Sequence, residues 1–251
     1  MKVKFEGTYS YQRDIGRVRL TNEDQVKVMV NSRGNVLLVV ADGMGGHNKG
    51  DFAAQTLISS LEEEFYKKPF FASVFTLKIW LVKTLKKINE TIYTAQENNK
   101  FYSGLGTTVA VAVIFNDKLV IAHAGDSRVY MLNHQLLMRL TEDHSYVDYL
   151  YKSGQIKKEE MEVHPKRHVI TNAMGLFPSL SVDIRVVPYN GETILLCSDG
   201  LYNNVSNKDI ESILNTTELA ETKVLSLINL ANFNGGSDNI SLALWETIKN
   251  D

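Results

Sequence analysis

Short apolar runs, each bounded by polar or glycine-containing segments, recur along this chain and predict β-strands. Several are joined by tight polar turns such as Asn116-Asp117 and Asn133-His134, which are typical of β-hairpins. Consecutive hairpins predict antiparallel pairing, because a parallel sheet needs a helix between nearly every pair of strands. The predicted strands cover residues 25–30, 36–41, 107–115, 119–124, 128–132, 136–140, 182–187, 193–198 and 240–245.

Apolar residues at helical spacing predict two helices between the second and third of these strands. Asp51 can cap the first of them, and the second extends from about Ser73 to Asn98. A further pair of helices, at 209–214 and 220–231, precedes the last strand. Helices in pairs beside antiparallel hairpins predict an α+β fold in which two stacked sheets carry helices on their outer faces.

The segment from about 145 to 175 does not fit this alternation. A short helical pattern is followed there by Ser153-Gly154 and then by the polar run Lys157-Lys158-Glu159-Glu160. Its place between a strand and the return to a sheet predicts an insertion or flap. We interpret the charged run as the solvated face of a helix.

Composition limits the classes of protein to which the chain can belong. Its 251 residues suffice for one domain with a substantial core, and without a linker or repeat we expect a single domain over 1–251. The formal net charge of −2 lacks the basic surplus of a nucleic-acid-binding protein. The apolar runs are too short to span a bilayer, and the N-terminus does not resemble a signal peptide, so we expect a cytoplasmic protein. The single cysteine, Cys197, is interpreted as a small core residue.

Four aspartates stand at the ends of predicted strands, three of them next to a glycine and the fourth two residues after one. They are Asp42, Asp126, Asp199 and Asp238. Each alone is most simply a turn residue, but four at four strand ends predict a group of oxygen ligands. Carboxylates without clustered cysteine or histidine favour Mg²⁺ or Mn²⁺ over zinc. Two such ions would activate water and stabilise charge on a phosphate ester, and an arginine within 16–24 could bind the phosphoryl oxygens.

These residues belong to a series of motifs that resembles one family over roughly residues 10–245. In chain order the motifs are Val18-Arg19, Asn22-Glu23-Asp24, Asp42-Gly43-Met44-Gly45-Gly46, Gly106-Thr107-Thr108, Gly125-Asp126-Ser127-Arg128, Ser198-Asp199-Gly200 and Gly236-Ser237-Asp238-Asn239. The series resembles the bacterial metal-dependent protein phosphatases of type 2C. The resemblance implies a four-layer α-β-β-α sandwich with two central antiparallel sheets and a small flap insertion. It also implies two Mg²⁺ or Mn²⁺ ions at one edge of the sheets, with a weaker third.

The resemblance assigns the ligands of the two principal ions by motif. Asp42 would bridge both ions, and the Gly43 carbonyl would bind one of them. Asp199 and Asp238 would complete the site of the other ion.

It also assigns outer roles. Glu23 and Asp24 would act through ion-bound water, and Asp126 together with Asp199 would hold the third ion. Arg19 would bind the substrate phosphate.

The candidate for the general acid differs from that in animal members of the family. Met44 stands where animal members of the family place a histidine that is thought to protonate the leaving group. His47, three residues later, is the candidate acid or substrate contact, because the ordinary pKa of histidine is near neutrality. Of the other histidines, His144 would open the flap, and His123, in a predicted strand, is expected to be a core or edge residue.

The resemblance implies a protein phosphatase that hydrolyses phosphoserine and phosphothreonine by direct attack of water. Its partners would be phosphorylated proteins and an opposing Hanks-type serine/threonine kinase, and we expect a monomer without nucleic-acid or membrane partners. Two alternatives stay open: a catalytically silent scaffold that binds phosphoproteins, and a metal-dependent hydrolase of small phosphate esters.

Overall fold

Two five-stranded antiparallel sheets form the centre of the protein in the computed structural model, which describes residues 5–45, 49–99, 103–161 and 163–248. The first sheet has the strand order β1 (Gly7–Asp14), β12 (Ile240–Thr247), β11 (Thr193–Cys197), β8 (Arg128–Asn133) and β9 (Leu136–Arg139). The second has the order β10 (Asp183–Pro188), β7 (Lys118–Ala124), β6 (Val109–Phe115), β3 (Val36–Ala41) and β2 (Gln25–Val30). A small third sheet pairs β4 (Gly43–Met44) with β5 (Gly106–Thr107).

Helices cover the outer face of each large sheet. The helices are α1 (Lys49–Lys67), α2 (Val74–Asn98), α3 (Tyr146–Lys152), α4 (Lys158–Met161), α5 (Asp199–Tyr202), α6 (Asn207–Leu214) and α7 (Ala220–Phe233). Buried side chains of α1 and α2 pack with the second sheet, and those of α5, α6 and α7 pack with the first. The predicted α+β class and four-layer sandwich are therefore confirmed.

Alternate residues of the central strands face different cores. In β3, Leu37 and Val39 belong to the core beneath α1 and α2, whereas Val36 and Leu38 belong to the core between the two sheets. Both faces of such a strand are buried, so its sequence is a continuous apolar run without polar alternation. The three cores bring the strand ends of both sheets to a common edge.

The helix starts differ in part from the sequence-based expectation. Helix α2 begins where it was predicted, and Ser73 caps it by accepting a hydrogen bond from the Thr76 N–H. The cap predicted for Asp51 is wrong, because Asp51 lies inside the first turn of α1 and its Oδ1 accepts a hydrogen bond from Gln25 Nε2 at 2.8 Å. Strand β1 was not predicted at all, and it pairs with β12 along its full length.

The segment predicted as a flap contains α3 and α4 and returns to its own base. Ser145 and Ile170 form an isolated bridge there, and Met174 forms another with Thr107. No residue of α4 is buried, so the charged run faces solvent as predicted. The burial of Cys197 confirms its predicted core position, and His123, for which core or edge was predicted, is buried in the inner strand β7. Among the helices in the described ranges, none combines the length and apolar character that crossing a membrane requires.

Candidate functional site

Strand ends of the two sheets bring the predicted aspartates together. The ends of β3 and β7, which precede Asp42 and Asp126, lie at one edge because β6 pairs antiparallel with both strands. In the other sheet, the end of β11 lies beside the start of β12. Burial raises the pKa of Asp42 well above its ordinary value. The carboxylates that add to this shift are, in decreasing order, Asp24, Asp199, Asp126 and Asp238.

The backbone of Asp42 is fixed by the threonines that join β5 to β6. The Asp42 N–H donates to Thr108 Oγ1, and the Thr108 N–H donates to the Asp42 carbonyl, both at 2.9 Å. Thr107 Oγ1 donates to the same carbonyl at 3.1 Å. Thr108 Oγ1 also lies 2.7 Å from Ser127 Oγ. Because Ser127 follows Asp126, this chain of contacts ties the two aspartates to one another.

Two glycines let the first turn of α1 approach the site. A Cβ atom on Gly43 would lie 2.4 Å from the main chain of Gly50, and a Cβ atom on Gly50 would lie 2.7 Å from Glu23 Oε2. Any larger residue at either position would displace backbone or the Glu23 carboxylate. Oε1 of Glu23 is buried and has no hydrogen-bond partner among the described residues.

Asn239 anchors the loop at 15–24, which carries the predicted phosphate-binding arginine. Its Oδ1 accepts a hydrogen bond from the Glu23 N–H at 2.9 Å. Its Nδ2 donates to the carbonyls of Ile15 at 3.0 Å and Thr21 at 2.9 Å. One buried amide, directly after Asp238, therefore holds the loop against the start of β12.

Asp24 and Asp199 are fixed by the start of helix α5. Ser198 Oγ donates to Asp24 Oδ2 at 2.7 Å, and Asn203 Nδ2 donates to Asp199 Oδ2 at 3.0 Å. A Cβ atom on Gly200 would lie 2.0 Å from the Asn239 carbonyl oxygen. Only glycine allows this approach, which places the start of α5 against the start of β12.

Arg19 lies on the open side of the cluster. Its Nη2 lies 2.6 Å from Asp238 Oδ2, and 55% of the side chain is exposed. The hydrogen bond to Asp238 raises the pKa of Arg19, so the guanidinium is charged at every physiological pH. The predicted phosphate-binding residue is thus next to the carboxylates and accessible to a ligand.

Asp126 reaches the cluster from the other sheet. Its carbonyl accepts a hydrogen bond from the Tyr202 hydroxyl at 3.1 Å, while its Oδ1 is buried without a partner among the described residues. The Arg128 guanidinium stacks on the Tyr202 ring, 3.4 Å from the ring centroid. These contacts fix the main chain on one side of Asp126 and leave its carboxylate directed to the site.

Burial and mutual repulsion of the carboxylates raise their pKa values, and burial is the larger cause. Burial is the largest cause of every shift and raises the pKa of Asp24 to about 7, that of Asp126 to about 8 and that of Asp199 to about 6. Neighbouring carboxylates add to these shifts. Charge from outside the chain is needed to keep all of these groups ionised near neutral pH.

The donor set fits hard divalent cations. Buried oxygens without a hydrogen-bond partner among the described residues include Asp126 Oδ1 and Asp199 Oδ1, and oxygen ligands are those that Mg²⁺ and Mn²⁺ prefer. Within the described ranges, only His123, His144 and Asp183 bring three ligand-type atoms all within 4.8 Å of one another. The site carboxylates do not form such a closely spaced trio among the described residues.

The structure does not address the predicted general acid, because His47 lies outside the described residues. Met44 lies in β4. Several residues that shape the site were not predicted to have a role, namely Thr108, Ser198, Asn203 and Asn239. Thr108, Ser198 and Asn239 occur in the motifs that carried the family resemblance, so the signal was present without a physical interpretation.

Comparison with known proteins agrees with this architecture. A family model for protein phosphatase 2C matches residues 15–226. The serine/threonine phosphatase stp of Listeria monocytogenes serotype 4b is 37% identical over 237 residues, which cover 94% of each chain.

Two solved structures are similar over nearly their whole length. The S. agalactiae serine/threonine phosphatase has a TM-score of 0.92 at 33% identity, covering 97% of this chain and 100% of that chain. The catalytic domain of the serine/threonine protein phosphatase PstP in complex with 2 manganese ions has a TM-score of 0.84 at 30% identity, covering 97% of this chain and 99% of that chain. With the matching family model, these likenesses show that the chain belongs to the protein phosphatase 2C family.

Proposed function

We propose that this protein phosphatase 2C hydrolyses phosphoserine and phosphothreonine in proteins with the help of divalent cations at the shared edge of the two sheets. The observation that carries the proposal is the group of buried carboxylates, mutually repelling and partly without partners, beside an exposed arginine. Cations would offset the repulsion, and the arginine would bind the phosphate. The relatives named as serine/threonine phosphatases support the same substrate class.

Asp42 is the residue that we propose to be shared by two Mg²⁺ or Mn²⁺ ions. Four other carboxylates raise the pKa of Asp42, and three hydrogen bonds hold its backbone. The Gly43 carbonyl would bind one ion, and Asp199 and Asp238 would bind the other. The bound cations would lower the pKa of water and neutralise charge on the phosphoryl group.

The remaining acids would support this centre. Glu23 and Asp24 would accept hydrogen bonds from water around the ions. This role suits Oε1 of Glu23, which has no hydrogen-bond partner among the described residues. Asp126 would join Asp199 at a weaker third ion. His47 is the proposed acid for the leaving alkoxide.

Arg19 would hold the phosphoryl group for attack. Its guanidinium donates a hydrogen bond to the Asp238 carboxylate, and 55% of the side chain is exposed. Guanidinium matches two phosphoryl oxygens at once, which orients the substrate as well as binding it.

Replacing Arg19 by lysine is expected to raise the KM for a phosphothreonine peptide about tenfold and to lower kcat less. Lysine keeps the charge but loses the bidentate geometry, and a factor of ten corresponds to about 1.4 kcal/mol, near the value of one charged hydrogen bond. Steady-state kinetics would measure both constants. Arg33→Lys is the control, because Arg33 lies in the β2–β3 turn at the opposite end of β3 from the site. An equal effect of both substitutions would contradict the role of Arg19.

The proposed function is tested by phosphate release from a phosphothreonine peptide, and from nucleotides, in Mn²⁺ and in EDTA. Release from the peptide that requires Mn²⁺ is the expected result. Release from nucleotides alone would replace the proposal by a hydrolase of small phosphate esters. Binding of the phosphopeptide without release, at saturating Mn²⁺, would replace it by a phosphoprotein-binding scaffold.

The domain organisation, location and partners of the protein are proposed from the family resemblance. Residues 1–251 would form one catalytic domain, with the segment at about 145–175 as a flap beside the site. The protein would act as a cytoplasmic monomer opposite a Hanks-type serine/threonine kinase.

A further inference from the structure

Two consecutive residues, Asp143 and His144, hold the chain on the two sides of Asp126. His144 forms hydrogen bonds with the Gly125 backbone, and Asp143 pairs with the Arg128 side chain. We infer that His144 is a positioning residue that orients the Asp126 carboxylate and links it to the flap. This inference rests on the proposed role of Asp126 in the phosphatase site. His144 forms hydrogen bonds with Gly125 and with residues at the end of the flap.

His144 holds Gly125 at both of its main-chain polar groups. The His144 N–H donates to the Gly125 carbonyl at 2.7 Å, and the Gly125 N–H donates to His144 Nδ1 at 3.2 Å. Gly125 has φ +115, and a Cβ atom there would lie 2.6 Å from Thr108 Cβ. The residue before Asp126 therefore has an unusual backbone conformation that neighbouring groups must hold in place.

Asp143 holds the other side of the same loop. Arg128 Nη2 lies 2.6 Å from Asp143 Oδ2, and Arg128 Nε donates to Oδ1 of the same carboxylate at 3.1 Å. Only 8% of the Asp143 side chain is exposed. Asp126 thus lies between Gly125, held by His144, and Arg128, held by Asp143.

His144 also receives the returning end of the flap. The Thr171 N–H and Thr171 Oγ1 both donate to the His144 carbonyl, at 2.8 Å and 3.0 Å. Asn172 Nδ2 lies 3.0 Å from His144 Nδ1 and donates to the Ser181 carbonyl at 2.8 Å. A change in the flap base would therefore act directly on the residue that fixes Gly125.

These contacts define the tautomer of His144. Two N–H donors face Nδ1, so Nδ1 is the unprotonated nitrogen and Nε2–H donates to Asp183 Oδ2 at 3.0 Å. The nearby ring of His123 is buried, and neither of its nitrogens has a hydrogen-bond partner among the described residues. A metal ion on this trio would need the Nε2 lone pair of His144, which this tautomer does not provide. The geometry therefore favours positioning over a further metal site.

The test compares three variants of the full chain in metal-free buffer by hydrogen exchange of the Gly125 amide. His144→Leu removes the Nδ1 acceptor, and exchange should become about tenfold faster, the value of one lost hydrogen bond. His144→Asn places an oxygen acceptor at the position of Nδ1 and should keep the protection. Asp183→Ala removes only the Nε2 partner and should also keep it. Equal exchange in His144→Leu and the wild type would overturn the inference.

A double-mutant cycle with Asp126→Ala then tests whether His144 acts through Asp126. We expect His144→Leu to raise the Mn²⁺ concentration for half-maximal kcat about tenfold while the KM for the phosphopeptide stays unchanged. In the Asp126→Ala background, His144→Leu should change this Mn²⁺ concentration by less than about twofold. Additive losses would overturn the inference. A wild-type protein without phosphate release would instead contradict the proposed function, because the amide exchange is measured without substrate.

If His144→Leu does not fold, the inference can still be tested in the wild-type protein through the tautomer of His144. The ¹⁵N chemical shifts of the His144 ring report which nitrogen carries the proton. An unprotonated Nδ1 is expected, and a protonated Nδ1 would overturn the inference because it could not accept from Gly125.

Discussion

Replacement of Asp42 by asparagine should lower kcat/KM for a phosphothreonine peptide about 10³-fold, which corresponds to roughly 4 kcal/mol of transition-state stabilisation. Asp42 is the carboxylate at the centre of the cluster, and we propose that both ions depend on it. Asparagine has nearly the same volume and leaves the three main-chain hydrogen bonds of this position unchanged. The loss should therefore be one of charge, not of fold.

The same substitution has a second expected signature. Asp42→Asn removes a buried carboxyl from a repelling group, so the variant should unfold at a higher temperature than the wild type in EDTA at pH 8. Thermal unfolding followed by circular dichroism would measure this. Asp117→Asn is the matched control, since Asp117 lies in the exposed β6–β7 turn and pairs with Lys118. Loss of activity together with loss of stability would indicate misfolding and contradict the assigned role.

The fold was largely predictable because its central strands are buried on both faces. The apolar runs of β3 and β6 follow directly from this burial, and their bounds agree closely with the predicted ones. Strand β1 escaped prediction because most of its side chains are solvent-accessible, Tyr9 and Tyr11 among them. Its place in the sheet depends on main-chain pairing with β12, and such pairing does not require a recognisable pattern of apolar and polar residues.

The site was predictable where its signal was local. A few consecutive residues suffice to recognise an aspartate beside glycine at a strand end, and the structure brings the predicted carboxylates together. Asn239 could not be interpreted in this way, because it contacts Glu23 across 216 positions of sequence. His144 likewise acts on Gly125 through tertiary contacts. For Asp51 the local signal was misleading. The sequence predicted a helix cap, but the Asp51 side chain instead accepts a tertiary hydrogen bond from Gln25.

Without divalent cations, the protein should become less stable as the pH rises from 6.5 to 8. The folded-state pKa of Asp24 is about 7 and that of Asp126 about 8, both above the ordinary value because of burial. The folded state therefore binds more protons than the unfolded chain, and the free energy of unfolding falls as pH rises through these values. Each carboxyl still protonated contributes about 1.4 kcal/mol per pH unit, which for a chain of this size lowers the Tm by roughly 3 to 6 °C.

Mn²⁺ should reverse this dependence, because cations bind the ionised carboxylates and their affinity increases with pH. The measurement is the Tm in EDTA and in Mn²⁺ across this interval, and the difference between the two Tm values should widen towards pH 8.

The interval from pH 6.5 to 8 avoids a contribution from the buried His123. Burial lowers the pKa of His123 to about 4, so this residue destabilises the fold only below pH 6.5. Asp126→Asn should flatten the fall between pH 7 and 8, whereas Asp117→Asn should leave it unchanged, because pairing with Lys118 lowers the pKa of Asp117. A Tm in EDTA that is constant or rises over this range would mean that burial and neighbouring carboxylates do not raise the pKa values of these groups in the folded protein, and it would remove the electrostatic argument for cations at this site.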